Sequence, residues 1–463
     1  MSAIDMFGTP RGAVNALWRN GKRHPTLVGH LKYHERTIGP VTDRLAAIAH
    51  LANCRPTGDY VCYEGPEDWA FAAGIAANVI ADRRHLLVRS AAGEWAVPWH
   101  QDVLRQLPAM LDRVPVDSWR LYGWAGFDLA AANAGLLDIV GDDSFLNLMI
   151  PATEVRFDVS GTLLRAIDPA DLDRLEAELA STPPLDYRAQ PVLESSGADR
   201  YLDAVGRAVA DIESGWLEKV ILSRSLPIDY PVDIVGTYAL GRRANSPARS
   251  YLLSLGGIAA AGFSPETVVE VTSDGVVTTQ PLAGTRARTG RAAVDEELRR
   301  ELLADPKEVY EHAISVKLAF DEMVDLCGDQ PVEIPEFMAI RQRGTVQHIA
   351  SSVRSTLTGR DRAWDAFCAL FPAVTTSGVP KEAAYPVIRE LEPEGRGIYG
   401  GAVLSYDCDG AMDAAVVLRT VFERDGQAWL RAGAGIVRQS RPERELTETR
   451  EKLASVGRYV VPR

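Results

Sequence analysis

Two pairs of glutamates have the spacing of a shared site. Glu308 and Glu311 are three residues apart, and so are Glu445 and Glu448, with Lys452 four residues further on. On a helix each pair lies on one face. If the two helices face each other, four carboxylates converge and repel unless protons or a cation neutralise them. An all-oxygen set without cysteine favours Mg²⁺, a hard cation that keeps water and is completed by substrate oxygens. The same spacing also describes two solvated acidic faces with i,i+4 pairs, Glu448 to Lys452 and Glu308 to His312.

Lys219 opens an apolar run, Val220-Ile-Leu222, and alternation places Lys219, Ile221 and Ser223 on one face of a strand. A lysine turned into a half-buried face loses hydration, which lowers its pKa, and a neutral lysine is a usable general base. A charged lysine guarding an edge strand has the same pattern. Glu266 follows Gly262-Phe-Ser-Pro265, a turn entering a strand. A carboxyl held there becomes a general acid if its surroundings raise its pKa. Anion-binding groups are also present. Gly433 and Gly435 in Ala432-Gly-Ala-Gly435 let backbone N–H groups approach a carboxylate. Arg419 ends the run Ala415-Val-Val-Leu418 and can grip a carboxylate with its fork. Phe371 to Lys381 reads as a binding loop or a plain connection.

Strands and helices must bring these groups together. Lys219 to Arg224 reads as a strand after a helix on which Leu202, Val205, Val209 and Ile212 share a face and which Gly215 ends. Thr267–Val271 and Val276–Thr279 flank Ser273-Asp-Gly275 as a hairpin. Asp305-Pro306 predicts a helix start that runs to about Leu326, with Asp as N-cap and Pro in the first turn. A last helix is expected from Pro442 to Val456. Upstream, Leu86–Val88 with Trp95–Val97, and Val155–Val159 with Thr162–Ile167, read as hairpins. Tyr122 to Asp128 reads as a buried strand. Ser181 to Gly197, rich in Pro, Ser and Gly, reads as a long loop between two halves. Hairpins with single helices, lacking βαβ regularity, predict an α+β fold.

The chain has 463 residues, 46% of them hydrophobic, and a net charge of −13. This excludes a disordered or disulfide-stapled chain, and the charge argues against a nucleic-acid or anionic-membrane binder. No apolar run reaches the ~18 residues of a spanning helix. Five scattered cysteines, none in a C-x-x-C pair, fit free thiols in a reducing cytoplasm. The basic start lacks an apolar segment and reads as a short surface arm, with a transit peptide as the other reading.

Taken together, Lys219–Arg224, Gly262–Glu266, Pro281–Arg286, Lys307–His312, Val346–His348, Phe371–Thr375, Gly433–Gly435 and Glu445–Glu448 resemble the chorismate-utilising enzymes of menaquinone, siderophore, tryptophan and folate synthesis. Tyr60–Tyr63 and Tyr122–Phe127 extend the likeness more loosely into the N-terminal half. Within the family, Glu311–Lys317 and Arg343–His348 are most similar to salicylate synthases. The resemblance implies one α+β unit of large antiparallel sheets in a layered core with helices outside. Residues 1–45 would be an extension, 46–180 the N-terminal scaffold and 198–463 the catalytic part. It assigns Lys219 to activate water for attack at C2 of chorismate, and Glu266 to protonate the departing C4 hydroxyl. Glu311 and Glu448 would bind Mg²⁺, with Glu308 and Glu445 holding its waters. Lys452 would help to hold the ring carboxylate. Tyr399, Arg419, Gly433 and Gly435 would hold the enolpyruvyl carboxylate, and His348, Thr285 and Thr375 would line the ring pocket. The implied product is salicylate, formed from isochorismate with loss of pyruvate in a hydrogen transfer that needs positioning rather than an acid or base. Alternatives are an isochorismate synthase that stops after hydration, an aminating relative and a non-catalytic homologue. Lys219 in place of the usual Gln, and no cysteine in a Gly-x-Cys-x-Gly elbow, argue against amination and against a glutaminase partner. The expected setting is the cytoplasm, given the free thiols, and the expected state a monomer or homodimer.

Overall fold

The computed structural model describes residues 30–463, except 67, 195–196, 344–345 and 360–361. Residues 1–29 of the expected arm lie outside the described residues, as do Ser195 and Ser196 of the long loop, and Gly344 and Thr345 of the Arg343–His348 segment. The remainder of the expected extension includes a strand, His34–Ile38, which pairs with Thr162–Ala166.

Among the described residues, 21 strands join one hydrogen-bonded network, antiparallel at every pairing between named strands. The network has two wings. One runs through Lys219–Ile228, Gln427–Ile436, Thr420–Arg424, Ile258–Ser264, Arg249–Leu255 and Tyr60–Glu64. The other runs through Arg120–Ala125, Ala402–Asp407, Met412–Val416, Thr267–Val271, Val276–Thr279 and Val346–Thr356. The long strands Trp69–Ala81 and Leu146–Phe157 belong to both wings. Their pairing shifts register between Ile75 and Ala77, beside Gly74 at φ 70°, and such a bulge bends the ladder from one wing into the other.

Alternation along the strands builds the layers. Val61, Tyr63, Tyr251, Leu253, Ala260 and Phe422 of the first wing meet Tyr122, Trp124, Val403, Ala415 and Val417 of the second in an inner core. Their neighbours Tyr60, Cys62, Leu252, Ala261 and Val421 face outward under the Arg44–Asn53 and Ile234–Ala244 helices. Leu121, Ala125, Ala402, Leu404, Ala414 and Val416 pack on the outer face of the second wing with Val316, Ala319 and Met323 of the Pro306–Cys327 helix. This is the expected layered α+β architecture. Strands of the two halves of the chain pair directly, Tyr60–Glu64 with Arg249–Leu255 and Arg120–Ala125 with Ala402–Asp407. No helix among the described residues is long and apolar enough to cross a membrane.

The expected hairpins and helix starts are present. Asp305 accepts from the backbone N–H groups of Lys307 (3.0 Å) and Glu308 (3.4 Å), which fixes the start of the Pro306 helix. One helix face differs. On Ala198–Glu213 the buried residues are Tyr201, Ala204, Val205, Ala208 and Ile212, so the face is rotated from Leu202 towards Tyr201. The tyrosine adds apolar area, and its hydroxyl donates to Leu222 O at 3.2 Å.

Close packing inside the first wing also sets a limit on substitution. Gly262, paired with Tyr251 across the ladder, lies under the Tyr251 ring, where a Cβ would overlap ring carbons and hydroxyl. Gly262→Ala should lower stability by ~1–3 kcal/mol through overpacking, read as a lower denaturation midpoint. An unchanged midpoint would contradict this packing.

Candidate active site

Two short, direct passages of the chain between the wings carry site residues. Pro265-Glu266 links Ile258–Ser264 of the first wing to Thr267–Val271 of the second. Val417 to Arg419 returns from Met412–Val416 to Thr420–Arg424, with Arg419 in the left-handed region at φ 50°. Tyr399 precedes Ala402–Asp407, and Thr375 lies in the loop after the Ala363–Leu370 helix.

Glu266 is 2% exposed. Thr375 Oγ1 lies within hydrogen-bond reach of both of its oxygens, at 2.9 and 2.8 Å. Burial raises its pKa to about 8, against the lowering by Thr375, the Leu282 backbone, Lys219 and Lys452. At neutral pH the carboxyl therefore holds a proton that it can donate.

Lys219 is fully buried in a strand paired on both sides, with Gly378–Val379 and Gln427–Ile436. The edge-guard alternative is thereby excluded. Desolvation does not act alone on it, however. Its ammonium lies 3.0 Å from Glu311 Oε1 and donates to Ser315 Oγ at 3.1 Å.

His348 is buried and its pKa is well below the usual histidine value, through burial and the neighbouring Arg419, Lys452 and Arg343 charges. Arg419 Nη2 lies 2.6 Å from His348 Nε2. Arginine only donates, so Nε2 accepts and Nδ1 carries the proton. Nδ1 lies 3.0 Å from Thr285 Oγ1 and 3.3 Å from Gly284 O. A register shift between Ala283 and Thr285, with Gly284 at φ 72°, sets Thr285 opposite His348. Arg419 has no carboxylate partner among the described residues, and burial with the Arg343 charge lowers its pKa to about 10. An uncompensated guanidinium and a neutral imidazole side by side suit an anionic oxygen ligand. Tyr399 is 2% exposed, and its hydroxyl lies 3.1 Å from where a Gly433 Cβ would stand.

The Pro306 and Pro442 helices do bring the four glutamates towards one another, yet bases are interleaved among them. Arg286 Nη1 is 3.2 Å from Glu308 Oε1, and Lys219 holds Glu311. Lys307 Nζ is 3.0 Å from Glu445 Oε1 and 3.9 Å from Glu448 Oε2, while Lys452 is 2.7 Å from Glu448 Oε1. Among the described residues no three His, Cys, Asp or Glu side chains are gathered closely enough to share an ion. The neutralising charge expected from protons or a cation is supplied here by side chains, one basic residue against each carboxylate. The alternative of two solvated faces fails, since Glu308, Glu311 and Glu445 are buried. His312 does not flank Glu308; its Nε2 faces Ser351 Oγ at 2.7 Å.

The charges remain strongly coupled. Burial, then Glu448 and Glu311, raises the Glu308 pKa. Burial raises Glu445, whereas at Glu448 the opposing effect of burial is overcome by Lys452 and Lys307 and the pKa falls. Burial would depress the Lys307 ammonium, but Glu448, Glu311, Glu445 and Glu308 around it more than offset this and raise it. Glu445 Oε1 is buried and has no hydrogen bond, although Lys307 is within ion-pair distance. An all-carboxylate donor set with one unbonded oxygen has the donor chemistry of a small divalent cation of the Mg²⁺ type. Lys307 and Arg286 were missed as site residues on the sequence. The i,i+4 spacing of Lys307 to Glu311 was the available signal for the first.

The glycines serve a second purpose. A Cβ on Gly435 would fall on the Glu311 carboxylate, and Lys452 donates to Gly433 O at 2.9 Å. A cleft of about 1570 Å³ opens elsewhere, along Ser223, Arg224 and Trp429, and it includes none of Lys219, Glu266 and His348.

A sheet wrapped around a buried acid, a buried lysine and paired glutamates defines a recognisable class. A family model described as chorismate binding enzyme matches residues 58–458, and the chain belongs to that family. It is a chorismate-utilising enzyme. The chain is 38% identical over 427 residues to a salicylate synthase of Mycolicibacterium paratuberculosis, covering 91% of this chain and 94% of that one. It is 36% identical over 383 residues to an anthranilate synthase component 1 of Haloarcula marismortui, covering 76% and 70%. The menaquinone-specific isochorismate synthase of Escherichia coli shares the fold, with TM-score 0.70 at 22% identity over 92% of this chain and 94% of that one. Anthranilate synthase component I of Streptococcus pneumoniae does so with TM-score 0.72 at 24% identity over 85% and 93%.

Gly435→Ala should displace Glu311 from Lys219 and lower kcat at least ~10-fold in a folded protein, because ~1 Å misplacements are felt strongly in catalysis. Steady-state kinetics alongside circular dichroism measure this; wild-type kcat would show that the glycine is not needed to seat Glu311.

Proposed function

We propose that the protein is a salicylate synthase, converting chorismate through isochorismate to salicylate and pyruvate with water as nucleophile. The observation that carries the reading is the opposed pair of a buried lysine, Lys219, and a buried protonated carboxyl, Glu266. The 38% identity to a salicylate synthase across nearly the whole chain supports it.

Lys219, in its neutral amine form, takes a proton from water for attack at C2, and Glu266 gives its proton to the departing C4 hydroxyl. Thr375 orients Glu266 through a hydroxyl within hydrogen-bond reach of both oxygens. Arg419, with His348 and Thr285 behind it, and Tyr399 beside Gly433 hold the enolpyruvyl carboxylate. Glu308, Glu311, Glu445 and Glu448 would hold Mg²⁺, with Lys452 supporting Glu448. When bound, the cation supplies a positive charge that attracts a substrate carboxylate. The lyase step uses no protein acid or base. It needs only a conformer that brings C2–H to the enolpyruvyl carbon. A lysine can deprotonate water, and no glutaminase partner is invoked.

Chorismate with Mg²⁺, and no glutamine or ammonium, should yield salicylate and pyruvate in equal amounts by chromatography, and EDTA should abolish turnover. Isochorismate without pyruvate would instead identify a synthase that stops after hydration. Diversion to anthranilate by ammonium would overturn the water-activating role of Lys219. In H₂¹⁸O the salicylate should carry label in its phenolic oxygen. Lys219→Ala should lose hydration of chorismate, by more than ~100-fold.

The pH profile follows from Glu266. Its active form is the protonated one, present below its pKa of about 8 and lost above it. The rate of the hydration step should therefore fall about tenfold per unit above pH 8. Glu266→Gln should be nearly inactive at every pH. A rate still rising at pH 9.5 would exclude Glu266 as the acid.

A further inference from the structure

Three buried charged side chains, Glu392, Arg396 and Arg431, lie behind the substrate-facing residues and take no part in the chemistry above. They are 3%, 5% and 4% exposed. Glu392 Oε1 accepts from Ser223 N at 2.7 Å and Arg396 Nη2 at 2.6 Å. Its Oε2 accepts from Arg396 Nε at 2.9 Å and Arg431 Nη2 at 2.6 Å. Two guanidiniums around one carboxylate leave a buried positive charge in excess. Apolar packing would be at least as stabilising as such a group, so stability alone is a poor reason for it.

The remaining N–H groups show what the excess charge holds. Arg396 Nη1 donates to Thr376 O at 2.5 Å, and Nη2 donates to Ile221 O at 2.8 Å. Arg431 donates to Ser223 Oγ at 2.8 Å, Gly395 O at 2.8 Å and Glu394 O at 3.2 Å. Ile221 and Ser223 are on the strand that begins with Lys219, and Thr376 follows Thr375, the partner of Glu266. One guanidinium therefore spans the strand of the base and the loop of the acid. Both guanidiniums also lie near the Tyr399 ring, 5.9 and 5.6 Å from its centre.

We propose that Glu392, Arg396 and Arg431 are positioning residues that fix the separation of Lys219 from the Glu266–Thr375 acid, and thereby serve water addition to the ring. The proposal rests on the base and acid roles given to Lys219 and Glu266. Arg396→Lys tests it. Lysine keeps the charge opposite Glu392, but one ammonium lacks the planar fork that reaches both carbonyls. The variant should fold, with a cooperative melt and unchanged circular dichroism. Its kcat with chorismate should fall ~10–100-fold while KM changes less than ~threefold. Conversion of added isochorismate to salicylate should stay within ~threefold of wild type, because that step requires neither base nor acid. Equal loss in both reactions, or no loss with chorismate, would overturn the proposal. If Arg396→Lys does not fold, Arg431→Lys is read by the same ratio. Wild-type enzyme checks the underlying reading separately. If it makes no salicylate from either substrate, the lyase assignment fails, and the triad is then judged on kcat against KM for chorismate consumption. A loss in kcat at constant KM supports the triad, and an unchanged kcat overturns it.

Discussion

The site depends on a balance of charge between the Pro306 and Pro442 helices. Four glutamates would repel one another if they stood alone in a partly buried space. Arg286, Lys219, Lys307 and Lys452 are set among them, one against each carboxylate. A carboxylate stripped of water costs several kcal/mol unless a partner replaces its hydration. The glutamates can therefore be buried because the Lys219 and Arg286 strands and the two helices themselves, through Lys307 and Lys452, deliver basic residues to the same place. That requirement ties the ends of both helices to the sheet and leaves little freedom in how the wings are joined.

The sheet satisfies the requirement by passing the chain between wings at the site itself. Glu266 stands at one passage and Arg419 at the other. At such points the regular ladder ends, so side chains turn into the space between wings rather than into a core or solvent. The environments there differ sharply over a short distance. Glu266, desolvated by burial, keeps its proton, whereas Glu448, between Lys452 and Lys307, stays ionised. Arg419 is left without a carboxylate of its own. Acid, anion holder and ionised carboxylates thus follow from burial and from the distribution of bases, with no difference in residue type between Glu266 and Glu448.

Rigidity behind the site has the same origin. Arg396 and Arg431 reach backbone carbonyls on separate segments, and Glu392 holds the two guanidiniums together. Backbone bonds of this kind fix strand and loop independently of side-chain rotamers.

Much of this molecule can be read from the sequence alone. The Asp305-Pro306 start, the hairpin around Ser273-Asp-Gly275 and the paired glutamates are local patterns, and local hydrogen bonding and side-chain period are enough to specify them. The types of the chemical groups, Lys219, Glu266, His348 and Arg419, come from the sequence too, because their order matched a known family. Tertiary structure decided what local pattern does not contain. Alternation could place Lys219 on one face of a strand but could not show that Glu311 would be 3.0 Å away. Helical spacing could pair the glutamates but could not show Lys307 and Arg286 interleaved with them. The face of the Ala198–Glu213 helix was off by one residue, since the carbonyl that receives Tyr201 belongs to Leu222 on the Lys219–Ile228 strand. The Glu392–Arg396–Arg431 group had no sequence signal beyond an i,i+4 pair, because its partners lie far apart in the chain. Charge pairing and burial act through space, so segments remote in sequence set each group's state only once the wings have closed around it.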